Sequence, residues 1–349
     1  MRTKLLSGIL LTAIFSINVT YGTKPFIADI EKPIVIRTSF AANYLWHLMA
    51  VAQISYTSEY ATDYMHTVQP DDLEFLQEHA TYIAFRDGNT GPFTWLLIFL
   101  PSYLELTDKA AFEEYFSLVT QGLATLNFSA LKQRYQQANW QDPFVEIASG
   151  IFYVSEEYKE RVSQVMPVFE KFTKVITNNL ETYHTLVWQK AQSSMQSTKD
   201  TLSAYFSQND IIGNWEKKMG TSFEADRYDI ILCYACKYGP NANTLSYDKN
   251  VFYYDYELDH TTQFISHETG THILFHEYLE LYHTQEYDSV DLYAAYESLL
   301  MWYNHKVLNT DTLSYRLSQF HDTYYHEIYD RHYTPGVSPL YLLVKALKK

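Results

Sequence analysis

Cysteine, glycine and proline are scarce in this 349-residue chain, with 2, 11 and 10 copies, while tyrosine reaches 32. Basic residues are also few, since 26 Lys and Arg stand against 41 Asp and Glu and leave a net charge of −15. An acidic chain lacks the basic surface that nonspecific binding to nucleic acid requires, so we expect no nucleic-acid partner. A hydrophobic content of 47% is enough to bury a large core, which excludes a disordered chain.

The two cysteines stand three positions apart, in the sequence Cys233-Tyr-Ala-Cys236. They lie at the end of the mostly apolar run that follows Asp229, and this run reads as a buried strand. Residues three apart on a strand face opposite sides of the sheet. We therefore predict two buried structural thiols and neither a disulfide nor a metal clip.

Long apolar runs are missing after the N-terminus. The first 22 residues combine a basic start, the mostly apolar run 5–17 and the small-x-small sequence Thr20-Tyr-Gly22, as a secretory signal peptide does. We expect a secreted or periplasmic protein without a lipoprotein anchor, because no cysteine lies near that site. The apolar run 95–100 is too short to span a membrane and is ended by Pro101, so we expect no membrane span.

Residues 23–209 read as helical. From Val165 to Val187 the apolar residues follow one another at steps of three and four, which predicts a long scaffold helix that Pro167 kinks or restarts. The pattern changes near Asn209. Two runs rich in β-formers follow, at 228–236 and 251–256. We predict a predominantly helical α+β protein with a small β-sheet, divided into a helical region (23–209) and a catalytic region (210–349).

The second β-run is followed by a predicted helix, 262–283, that contains the sequence Ser266-His-Glu-Thr-Gly-Thr-His272. Zinc peptidase helices usually carry two histidines four apart, with a glutamate after the first. Here His267 and His272 are five apart, and a regular α-helix would turn them away from each other by about 140°. A π-bulge at residues 269–271 would bring them back to one side, and Gly270 would allow the backbone to deform or another segment to approach.

A second histidine pair competes with the first. His272 and His276 are four apart and share one side of a regular helix. However, Ile273 follows the first member of this pair, whereas Glu268 follows His267. A carboxylate beside the first ligand can reach the metal-bound water, so we favour the pair His267 and His272, with Glu268 as the general base.

Catalytic zinc takes three protein ligands and keeps a fourth position for water. Glu297 is the one carboxylate within the apolar part of the next predicted helix, 290–308. Burying a charge without a partner is costly, so we predict Glu297 as the third ligand. The alternatives are Glu277, Glu280 or a histidine of the C-terminal forty residues, which are dense in His and Tyr.

The stretch His267-Glu-Thr-Gly-Thr-His272-Ile-Leu resembles the HExxxH motif of the tyrosine carboxypeptidase-like metallopeptidases, a group that includes tubulin-detyrosinating enzymes. The resemblance covers about residues 262–300. It implies a zinc ion bound by both histidines, Glu268 as the base, and Glu297 of Glu-Ser-Leu-Leu as the third ligand. Phe275 and Ser298 replace the Arg and Gly that are common in that family, and these two differences bear on substrate specificity.

The resemblance also implies a zincin-like fold for the catalytic region. We therefore expect a secreted, zinc-dependent peptidase that acts on a peptide or protein substrate. The strand at 251–256 could bind an extended peptide by pairing along a sheet edge. The alternative is an exported protein that binds a peptide or a glycan and in which any metal is structural.

Overall fold

The computed structural model describes residues 31–55, 59–86, 89–142, 145, 156–237, 242–310 and 322–348. The predicted signal peptide (residues 1–22) and His321 lie outside these ranges. The chain forms two compact units. The first contains Arg37–Lys199 and Ile231–Asp255, and the second contains Asp200–Ile230 and Tyr256–Lys349 together with the segment that ends at Ile36. Each unit is built from separate stretches of the chain. The division into a helical region (23–209) and a catalytic region (210–349) stays a prediction.

The helices before residue 210 form in the part of the chain for which helical periodicity was predicted. They are α1 Phe40–Val51, α2 Tyr60–Tyr64, α3 Pro70–Glu78, α4 Leu100–Tyr103, α5 Lys109–Thr125, α6 Ser129–Arg134, α7 Glu156–Tyr183 and α8 Gln189–Gln208. Two π-helical segments, Trp95–Phe99 and His184–Trp188, precede α4 and α8.

The long helix α7 confirms the periodicity argument. Phe169, Phe172, Ile176 and Leu180 are buried along one side of the helix, as the three-and-four spacing predicts. Pro167 lies inside α7, which continues through it from Glu156 to Tyr183.

A four-stranded mixed sheet has the order β1-β4-β6-β5, with strands β1 Ile34–Thr38, β4 Tyr228–Cys233, β5 Ala242–Ser246 and β6 Lys249–Tyr253. Strands β5 and β6 are antiparallel, with Asn243 opposite Val251. A short hairpin, β2 Phe85–Arg86 and β3 Asn89–Thr90, forms a separate pair. Because β6 has a neighbour on each side, the expectation that its sequence offers a free edge to a peptide is wrong.

Both cysteines are buried thiols, as predicted. Cys233 ends β4, and Cys236 lies beyond the strand. The first strand, β1, was missed in the sequence because its five residues are too few to show a period. The change of pattern expected near Asn209 is followed first by another helix, α9 Ile211–Met219, which is capped by the side chain of Asp210.

The second unit contains the helices α9, α10 Leu258–Ile273, α11 Phe275–Thr284, α12 Ser289–Leu308, α13 Thr323–His332 and α14 Pro339–Leu347. Helix α12 contacts each of the others. Its residues from Ala295 to Asn304 are all buried, as expected for a helix surrounded by neighbours. Asp288 caps α12 by accepting hydrogen bonds from the amides of Val290 and Asp291.

The predominantly helical α+β class is therefore confirmed, while a zincin-like relationship stays a prediction. Within the described ranges, no helix combines the length and the apolar composition that crossing a membrane requires.

Candidate functional site

Trp215 of helix α9 packs against one side of the motif helix α10. Its side chain is fully buried, and its indole Nε1 donates a hydrogen bond of 2.9 Å to the hydroxyl of Ser266. One turn further along, a Cβ atom added to Gly270 would overlap the same indole ring. Ser266 and Gly270 are four apart and lie on one side of the helix. The glycine therefore serves the close approach of another segment, one of its two anticipated roles.

The predicted π-bulge at residues 269–271 is wrong, because α10 is a regular α-helix as far as Ile273. The amide of Leu274 donates to the carbonyl of Gly270 at 2.9 Å, which is the ordinary four-residue step. The helix ends there, and α11 begins at Phe275, so the predicted helix 262–283 is two helices. Trp215 occupies the space that the missing side chain of Gly270 leaves. A regular helix with glycine at this position provides that space, so no π-bulge is needed.

His267 and Glu297 meet where α10 packs on α12. The Nε2 atom of His267 lies 3.2 Å from an Oε atom of Glu297. Both residues are buried, with exposed fractions of 2% for His267 and 8% for Glu297. Two of the three predicted ligands are thus in direct contact across two helices.

The protonation of His267 depends on the carboxylates around it. Burial by itself lowers the pKa of this imidazole. The hydrogen bond with Glu297, the charge of Glu297 and the charge of Glu268 outweigh burial and raise the pKa above its ordinary value of 6.5. The half-buried Glu268 therefore lies close enough to act on His267. The site attracts a positive charge, carried either by a proton or by a metal ion.

His272, the other predicted histidine ligand, lies elsewhere. Its imidazole is fully buried against the ring of Tyr228 on strand β4, with ring centroids 5.2 Å apart. On a regular helix its side chain leaves the axis about 140° from that of His267. The structure thus brings His267 and Glu297 together and places His272 against the sheet strand.

Three tyrosines surround the carboxylates, and the sequence reasoning had not selected any of them. Burial and the charges of Glu297 and Glu268 raise the pKa of the Tyr293 hydroxyl. Tyr278 and Tyr296 also feel the charge of Glu297. The four-residue spacing from Tyr293 to Glu297 was the signal in the sequence that would have placed the two on one side of α12.

The competing histidine His276 lies near a different carboxylate. Its Nε2 atom is 3.7 Å from an Oε atom of Glu224. The neighbouring Glu277 is buried, and burial raises the pKa of its carboxyl. The two alternative residues, His276 and Glu277, thus have surroundings different from those of the His267 and Glu297 pair.

The C-terminal aromatic residues pack α13 onto α12. The hydroxyl of Tyr329 donates to the carbonyl of Ala295 at 2.7 Å, and a ring nitrogen of His326 lies 3.1 Å from the carbonyl of Ser298. Their described contacts support helix packing, the role expected for most of this cluster.

The donor atoms at His267 and Glu297 match zinc, which accepts imidazole nitrogen and carboxylate oxygen. In the ranges that the structure describes, no three side chains of His, Cys, Asp or Glu are arranged around a common point so as to hold a metal ion. His267 and Glu297 are therefore suitable as two zinc ligands. The remaining predicted ligand, His272, does not lie with them in this structure.

Comparison with known proteins gave no match to a family model, to a curated protein or to a solved structure.

Proposed function

We propose that the chain is an exported, zinc-dependent peptidase that hydrolyses peptide bonds, with Glu268 as the general base. The observation that carries this proposal is the contact between His267 Nε2 and Glu297 Oε across α10 and α12. A buried imidazole and a buried carboxylate, with a second carboxylate directly beside the imidazole in the sequence, are the parts that such an enzyme uses.

The length of this contact supports the proposal. Zinc binds nitrogen and oxygen ligands at about 2.0 to 2.2 Å in a tetrahedral arrangement, which separates two ligand atoms by about 3.4 Å. The two atoms lie 3.2 Å apart, so both could serve one ion after a shift of a few tenths of an ångström. Both side chains are already buried, so binding need not recruit either of them from solvent.

A bound zinc ion would lower the pKa of a coordinated water and polarise a substrate carbonyl. The role of this chain's own residues follows from their positions. Glu268 is half-buried and lies next to His267, so its carboxylate can accept a proton from water and donate it to the leaving amine.

His272 completes the proposed ligand set of His267, His272 and Glu297. The described helix is regular and holds the two imidazoles about 140° apart, so His272 would join the same ion only if zinc binding converted the turn at 269–271 to a π-bulge. The contact of His272 with Tyr228 would then be exchanged for a contact with the metal.

A second candidate function is that of an exported binding protein, for a peptide or a glycan, with no catalytic metal. In this candidate the same contact is a buried ion pair that holds α10 and α12 together, because the raised pKa of His267 favours the protonated imidazole. This candidate predicts a helix-stabilising role for His267 and Glu297 and no dependence on zinc.

Metal analysis of protein purified without added metal tests the proposal. We expect about one zinc per chain, lost in His267→Ala and in Glu297→Ala and kept in the control His276→Ala, whose imidazole lies near Glu224. Loss of zinc in the His276 variant alone would contradict the ligand choice. A metal-free parent protein that binds peptide or glycan equally well in chelator would establish the second candidate instead.

A further inference from the structure

An open cavity of about 460 Å³ lies in the first unit, which contains none of the proposed zinc ligands. Small-molecule sites typically have volumes of about 300 to 1,000 Å³. One wall of the cavity is formed by residues 107–110, around the start of helix α5. The other wall lies where α7 passes into the π-helical segment His184–Trp188, and it consists of Leu180, Glu181, His184 and Thr185.

The π-helical wall is held in place by an aromatic ring. Phe40 packs against both ends of the segment, with ring centroids 5.8 Å from that of His184 and 5.5 Å from that of Trp188. Segments of π-helix are rare and occur frequently at functional sites. The wall is thus ordered before any ligand binds, as is usual for binding pockets.

Two opposite charges line the cavity without pairing. Within the described ranges, neither the half-buried Lys109 nor the exposed Glu181 takes part in an ion pair or a side-chain hydrogen bond. The end of helix α5 offers little to an anion by itself, because the carboxylate of Asp108 already accepts from the amide of Ala111 at 3.0 Å. An unpaired ammonium and an unpaired carboxylate in one cavity are complementary to a ligand that carries both charges.

We propose that this cavity binds a free α-amino acid with an apolar side chain. The carboxylate of the ligand pairs with the ammonium of Lys109, and its amino group pairs with the carboxylate of Glu181. The buried Leu180 supplies an apolar contact for the ligand's side chain. The imidazole of His184 and the hydroxyl of Thr185 add hydrogen-bonding groups to the same wall. Neither charge belongs to the proposed zinc site, so the two sites can be tested apart.

The test is a calorimetric titration with leucine and with two analogues that each lack one of its charges. Leucinamide lacks the carboxylate, and isocaproate lacks the amino group. We expect both analogues to bind about 10-fold more weakly than leucine or worse, because each loses one charge-assisted hydrogen bond. A parent protein that binds neither leucine nor methionine overturns the inference, as does one that binds leucine and both analogues equally well.

Two variants assign the charges. In Lys109→Met, leucine should bind no better than leucinamide, and in Glu181→Gln it should bind no better than isocaproate. Lys174→Met and Glu170→Gln are the matched controls, because both replace exposed residues of α7 outside the cavity, and both should keep the parent affinity. Equal losses in the controls would show an effect of net charge, and unchanged binding in Lys109→Met and Glu181→Gln would place leucine elsewhere. Either result overturns the inference.

The outcomes also separate this site from the proposed peptidase. A protein that binds leucine but no zinc supports the amino-acid site and contradicts the zinc site. A protein that binds zinc but neither leucine nor methionine keeps the peptidase and overturns the amino-acid site.

Discussion

Trp215 packs directly over Gly270, and its indole also donates a hydrogen bond to Ser266 one turn earlier. The glycine of the histidine motif therefore has a packing role within a regular helix. Two of the seven residues from Ser266 to His272 hold Trp215, and the contact determines which side of α10 turns towards α9. His267 directly follows Ser266, and its side chain contacts Glu297 on α12.

Replacing Gly270 with Ala should destabilise the protein. Helix propensity alone would favour Ala by about 1 kcal/mol. The added methyl group, however, would overlap the buried Trp215 ring, and overpacking of this kind typically costs about 1 to 3 kcal/mol. We therefore expect a lower free energy of unfolding in denaturant titrations.

The Trp215→Phe background provides the control for this prediction, because a smaller ring relieves the overlap. There, Gly270→Ala should cost less, and the difference measures the coupling between the two positions. A stabilised Gly270→Ala variant in the parent background would show that the contact is absent.

The sequence predicted His267 and Glu297 as ligands of one ion, and the structure brings these two side chains together. The path of the helix between His267 and His272 was not predicted. A buried charge in an apolar helix needs a partner whatever the path of the neighbouring helix. Gly270 packs against Trp215, which is 55 residues away in the sequence. No local pattern reveals a contact between segments so far apart.

Zinc binding should alter the surroundings of Trp215 if His272 is the third ligand. If zinc binding converted the turn at 269–271 to a π-bulge, Gly270 would move relative to the indole that packs on it. We expect the indole N–H resonance of Trp215, assigned with Trp215→Phe, to shift when zinc is added. His267→Ala should abolish the shift. Full zinc binding with an unchanged indole resonance would instead place the third ligand outside this turn.

A buried histidine of the first unit should make stability depend on pH. His47 is fully buried, and its ring nitrogens lie 2.8 Å from the hydroxyl of Tyr60 and 3.0 Å from that of Thr67. The Thr67 hydroxyl donates to the carbonyl of Tyr64, so it accepts from Nε2–H of His47, and Tyr60 donates to Nδ1. Burial, assisted by the charge of His66, lowers the pKa of His47 to about 3.

The folded protein therefore keeps His47 neutral at pH values where the unfolded chain protonates it. The resulting stability is present above pH 6.5 and is lost as the pH falls towards 3, by as much as roughly 4 kcal/mol. Urea unfolding between pH 7 and 4 should show a smaller loss in His47→Gln than in the parent. The exposed His283→Gln control should follow the parent, and an equal pH dependence in all three proteins would contradict the assignment.

Glu268→Gln should separate metal binding from catalysis. Glutamine keeps the size of the side chain and removes the proton acceptor, while His267 and Glu297 stay in contact. General acid and base assistance is typically worth on the order of 10² to 10⁴ in rate, so peptide hydrolysis should fall by at least about 10² with zinc content unchanged. Glu286→Gln, which changes an exposed carboxylate just after α11, is the matched control and should hydrolyse peptides at the parent rate. Zinc stoichiometry and turnover of a peptide library are measured in the same preparation. A Glu268→Gln variant that holds one zinc and cleaves as fast as the parent would exclude Glu268 as the base.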